Sequence, residues 1–123
     1  MLSFYLIAGV VGIMLFFSIA VAPTVFKVLP QEWAGVYVRN FFPKYYLVLG
    51  LTCMVAGIAT ESMHVKLIAF LCASLFAVSL WVLTPSINLA TDEGNAKKFN
   101  ILHGLSVAIN MFILIALIYC FWL

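Results

Sequence analysis

Charge is what this sequence has least of. Lys, Arg, Asp and Glu together make up 8% of its 123 residues, against 67% apolar. A soluble domain normally carries about a quarter charged residues, so this composition places the chain in a lipid bilayer. No Asp, Glu, Lys or Arg falls in the interior of its apolar runs. Ion-coupled pumps read their driving ion with a buried charge, so this absence argues against that class. The three cysteines form no C-x-x-C and no even set, which argues against a disulfide framework. There is no phosphate-cradling glycine loop, no nucleophile elbow, no pair of carboxylates and no H-E-x-x-H. A net charge of +2 in so apolar a chain leaves no basic face for nucleic acid.

What is present is four long apolar stretches, at 4–28, 42–59, 67–83 and 102–123. About 20 helical residues cross a hydrocarbon core of about 30 Å. The second and third stretches are short by that measure, and flanking aromatics complete their crossing. The runs are continuous rather than alternating, which favours helices over a barrel. The expected fold is all-α, an integral membrane four-helix bundle in which residues 1–123 form one domain. Residues 29–42 hold Trp33, Val36, Tyr37 and Phe41 at three- and four-residue steps, after Pro30 and before Pro43. That pattern predicts a short amphipathic helix lying in the interface between spans 1 and 2. Residues 84–100 read as the wettest loop. Small residues at four-residue steps, such as Ala8 with Gly12, Cys53 with Gly57, Ala69 with Ala73, and Gly104 with Ala108, allow close helix packing in lipid. They also make a homo-oligomer or a membrane-protein partner an expectation.

The basic residues set an orientation. Lys27, Arg39 and Lys44 follow the first span, and Lys97 and Lys98 follow the third. The opposite side holds Lys66. The positive-inside rule makes the two longer loops cytoplasmic and both termini external. Ala20-Val21-Ala22 mimics a signal-peptide cleavage site, but no basic segment precedes it and Pro23 follows it directly. The first span is therefore expected to be a permanent anchor. Val21-Ala22-Pro23-Thr24-Val25 returns 62 residues later as Leu83-Thr84-Pro85-Ser86-Ile87. This spacing suggests two helical hairpins related by an axis along the membrane normal.

Candidate chemistry gathers in the fourth span. His103, Ser106 and Asn110 stand at steps of three and four residues and share one face. His103 lies near the boundary, and Asn110 lies two turns deeper. Such a stripe is either interhelical hydrogen bonding or a ligand-facing surface with His103 as gatekeeper, proton carrier or metal ligand. Arg39 and Tyr45 stand at the same boundary and could hold a polar substrate end or an anionic head group. Cys53, Met54 and Met111, with Met14, fall at mid-depth, where soft sulfur could hold Cu(I) or simply fill space. His64 reads as a solvated turn residue.

Phe16-Phe17-Ser18-Ile19-Ala20-Val21-Ala22-Pro23-Thr24-Val25-Phe26 leads into Leu29-Pro30, Ala34-Gly35 and Phe42-Pro43-Lys44-Tyr45-Tyr46. Later come Pro85-Ser86-Ile87 and Phe99-x-x-Leu102-His103-Gly104-x-Ser106, then Asn110. Over nearly the full chain this resembles the bacterial domain of unknown function 4149 family, itself similar to transmembrane-protein-205-like proteins. The resemblance implies a four-helix protein of the bacterial inner membrane and brings no activity with it. More distantly the architecture resembles copper-resistance protein D and HemJ-type haem proteins. Those place a histidine in an early span, and here the first three spans have none. Only His103 carries over as a candidate ligand for haem or copper.

Three functional expectations follow. The first is a non-enzymatic protein that binds or moves a small molecule, lipid or metal ion. Its site would lie between the helices near the cytoplasmic face, lined by His103, Ser106 and Asn110, with Arg39 and Tyr45 at the mouth. The second is a haem-binding redox protein, and the third an assembly partner of another membrane protein.

Overall fold

A computed structural model describes residues 2–122, and Leu123, the end of the expected fourth span, lies outside them. The chain folds into four helices long and apolar enough to cross a membrane: α1 (Leu2–Val28), α2 (Gln31–Ala59), α3 (Met63–Asp92) and α4 (Ala96–Trp122). They imply a bilayer environment, and there is no strand among the described residues. At 27 to 30 residues each, they reach about 40–45 Å, longer than the hydrocarbon core alone.

Three expectations are corrected. Residues 31–41 do not form a separate interfacial helix, because α2 runs unbroken from Gln31 through Pro43 to Ala59. The middle spans are not short. The presumed loop at 84–100 is helical except around Glu93–Asn95. One physical reason covers all three. Ending a helix exposes about four N–H or four C=O groups, whereas a proline removes one donor and frees one carbonyl. Near lipid the smaller loss wins, so the helix continues through the proline.

The true breaks fall where the backbone geometry itself changes. Leu29 is extended, and Pro30 opens α2 as its N-cap. Gly94 sits at φ +69°, in the left-handed region where a Cβ is strained. The Gly94 N–H donates to Thr91 O at 3.1 Å and the Asn95 N–H to Ala90 O at 3.0 Å, closing α3 with a Schellman turn. Asn95 Oδ1 then accepts from the Lys98 N–H and caps α4. At the opposite end of the bundle, Lys66 Nζ donates to Gly57 O at 2.8 Å.

α1 and α3 share one irregularity. Each contains a five-residue π-turn, Phe17–Val21 and Ser79–Leu83, followed two residues later by Pro23 and Pro85. The Thr24 hydroxyl donates to Ala20 O (2.6 Å) and the Ser86 hydroxyl to Val82 O (2.7 Å), at matching positions of the two helices. Hydroxyls thus return hydrogen bonds to carbonyls in the turn that each proline disturbs. The sequence echo is therefore a structural repeat of proline and π-turn.

Consecutive helices pack against one another, and α4 closes on α1. The core draws Ile7 and Val10 from α1, Leu49 and Cys53 from α2, Phe76 from α3 and Ile113 from α4, each at most 1% exposed. The α2–α3 seam is the tightest. A Cβ on Gly57 would come within 3.0 Å of the Phe70 ring, and one on Gly50 within 3.3 Å of Phe76 Cβ. Cys53, Ala69 and Ala73 are buried in the same region. By contrast, a Cβ on Gly9, Gly12 or Gly104 would meet nothing within 4 Å. Only some of the small-residue steps therefore serve packing within the chain.

Candidate functional site

A cavity of about 950 Å³ occupies the half of the bundle nearer the two connectors at Leu29 and Gly94. Its size is at the upper end of small-molecule sites. One wall is a four-residue stripe of α1: Met14, Ser18, Ala22 and Phe26. The facing wall is the stripe of α4 from Phe99 through His103, Ser106 and Asn110 to Leu114. α2 and α3 supply the back, through Arg39, Tyr45, Tyr46 and Asn88 among others. α1 and α4 meet at the opposite end of the bundle, where the Phe4 and Phe121 rings are 5.7 Å apart. Beyond its π-turn, α1 packs on α2 instead. The two walls are therefore parted as a slot, and its edges at Ser18, Phe26, His103, Val107 and Met111 are exposed.

Polar groups are few and specific. At the mouth, Arg39 forms an ion pair with Asp92 at 2.8 Å and donates to Asn88 O at 3.2 Å. That clasp joins α2 to α3. The His103 ring stacks on Phe99, one turn before it in α4, with centroids 5.6 Å apart and an interplanar angle of 4°. Tyr45 belongs to an aromatic cluster with Phe17, Phe41 and Phe42, at centroid distances of 5.1 to 5.9 Å. In the depth of the slot, Tyr46 reaches from α2 across to α4. Its hydroxyl lies 3.3 Å from Ser106 Oγ and accepts from Asn110 Nδ2 at 3.2 Å. Asn110 Nδ2 also donates to Ser106 O at 2.9 Å, which fixes the orientation of the amide. Asn110 Oδ1 is buried and has no partner.

The structure brings His103, Ser106, Asn110, Arg39 and Tyr45 to one cavity. It divides the metal candidates. Met14, Met111 and His103 line the slot, whereas Cys53 is fully buried in the core away from it and Met54 is 46% exposed on the outside of α2. Their shared depth did not imply a shared direction, since neighbours in sequence point about 100° apart on a helix. Among the described residues, no three His, Cys, Asp or Glu side chains come together as metal ligands. Arg39 already has a carboxylate partner, Asp92, for which an incoming anion would have to compete. Tyr46 is the residue that sequence reasoning missed. It stands beside Tyr45 in the Phe42-Pro43-Lys44-Tyr45-Tyr46 segment, and its four-residue steps to Phe42 and Gly50 were the available signal.

The sequence model of the family described as "Domain of unknown function (DUF4149)" matches residues 5–122. The chain is similar to an uncharacterized protein of Aquifex aeolicus (strain VF5). The two are 34% identical over 119 residues, covering 94% of this chain and 84% of the relative. No solved structure matches.

Proposed function

The chain belongs to the DUF4149 family, and from that premise we propose that it binds a small apolar molecule or lipid in the slot between α1 and α4. The observation that carries this reading is the cavity itself. It is largely apolar, has a few convergent polar groups, and is bounded by two facing helical stripes. The same reading takes the membrane as the bacterial inner membrane. Both termini would lie outside, and the Leu29 and Gly94 connectors in the cytoplasm, beside Lys27, Arg39, Lys44, Lys97 and Lys98.

Native mass spectrometry of the detergent-purified protein tests the proposal. A bound species should be released from the wild type and be reduced in Ala22→Trp, whose indole would narrow the slot. Asn110→Ala should weaken its retention while the helical content stays unchanged. Retention of the species at wild-type level by Ala22→Trp would remove the slot as its site. The haem reading has a separate readout. A Soret band present in the wild type and lost in His103→Ala would make His103 an axial ligand.

A further inference from the structure

The hydrogen-bond inventory at the deep end of the slot specifies what kind of head group it accepts. The Asn110 amide has two protons, and both are engaged, one by Tyr46 Oη and one by Ser106 O. Tyr46 and Ser106 bring one hydroxyl proton each, and the single contact between their oxygens uses one of the two, whichever side donates. One hydroxyl proton therefore remains to be given. One acceptor also remains, because Asn110 Oδ1 is buried without a partner. An unpaired polar group in a membrane interior is costly, so a group that accepts one hydrogen bond and donates one would relieve both.

Charge argues in the same direction. Glu32 and Arg39 are the ionisable lining groups of fixed charge, and Arg39 is held by Asp92. The lysines do not line the cavity. Nothing in the slot offers an unpaired positive charge to a carboxylate or phosphate. The walls themselves are Phe17, Phe26, Phe42, Met14, Met111 and Leu114, which suit an acyl chain or a ring system.

We infer that the slot selects an uncharged lipid-like molecule ending in a hydroxyl group, which enters between α1 and α4 and places its hydroxyl against the Tyr46–Ser106–Asn110 cluster. This rests on the reading that the slot is a binding site, and it adds the class of ligand. An ether or an ionised acid of the same length would leave the orphan oxygen unrelieved.

The test is equilibrium binding to the full-length protein in lipid nanodiscs, with three probes of one chain length: 1-dodecanol, its methyl ether and dodecanoate. The wild type should bind the alcohol about tenfold more tightly than the ether, as expected for one hydrogen bond that satisfies buried partners. Dodecanoate at pH 8 should bind no better than the ether. Asn110→Ala, which removes the orphan acceptor, should erase the preference for alcohol over ether while the helical content stays unchanged. Equal binding of alcohol and ether to the wild type would overturn the inference and leave the slot as a binding site. Tighter binding of dodecanoate would overturn it in favour of an anion. Loss of all three probes, with the slot-narrowing Ala22→Trp indistinguishable from wild type, would overturn both the inference and the reading beneath it.

Discussion

At the residue scale, the informative side chains are polar ones inside an apolar bundle. Asn110 was legible because an amide at mid-span must face other protein, and His103 and Ser106 were legible through helical spacing. Ser79 was not. It lies in the π-turn of α3, fully buried, and its hydroxyl has no partner. A serine on a regular helix returns its hydroxyl to a carbonyl of the preceding turn, as Ser74 does to Phe70 O at 2.9 Å. Ser79 makes no such bond. Removing an unsatisfied buried hydroxyl relieves a desolvation cost without breaking any bond. Ser79→Ala should therefore stabilise the protein by about 1 kcal/mol, read as a higher midpoint in denaturant titration in micelles. A lower midpoint would mean that the hydroxyl has a partner worth keeping.

At the element scale, the lesson concerns proline. Four prolines punctuate the chain, and the sequence pattern sets Pro30 and Pro43 as the bounds of a separate short helix. Only Pro30 stands at a helix boundary, because Leu29 before it has left the helical region. Pro43 sits inside α2, where the lost N–H costs less than two new helix ends would. Pro23 and Pro85 each follow a π-turn, and the helix continues past both. The matching pentapeptides marked the place, but the extra residue per turn leaves no trace in periodicity over so short a run. In α1 this turn is where the helix departs from α4 and the slot begins. An alanine at position 23 can restore the missing donor, and proline in a helix interior is disfavoured by up to about 3 kcal/mol relative to alanine. Pro23→Ala should raise the thermal midpoint and lower the amount of bound species seen by native mass spectrometry. Unchanged occupancy would show that the proline of α1 does not hold the slot open.

At the scale of the whole molecule, the charges and the cavity point to the same end. The four apolar runs were plain in the sequence because a bilayer demands length and hydropathy, and both are local properties. The ring of contacts, and the parting of α1 from α4, were not plain, because they depend on which faces meet. The mouth of the slot lies at the end that carries Lys27, Arg39, Lys44, Lys97 and Lys98, while the other end carries Lys66. The bias counts basic residues near span ends, so pairing Arg39 with Asp92 does not cancel it. Single cysteines at the two ends read the orientation directly. Cys53, Cys72 and Cys120 are fully buried, so the unsubstituted protein should react little with a membrane-impermeant maleimide. Glu61→Cys should be labelled in intact cells, and Glu93→Cys only after the membrane is opened. The reverse pattern would turn the mouth outward, and labelling of both in intact cells would mean mixed insertion. Neither result would move the seam between α1 and α4, which runs along the sides of two helices rather than at an end of the bundle. On the proposed reading a molecule dissolved in lipid would enter by that seam whichever way the charged end points.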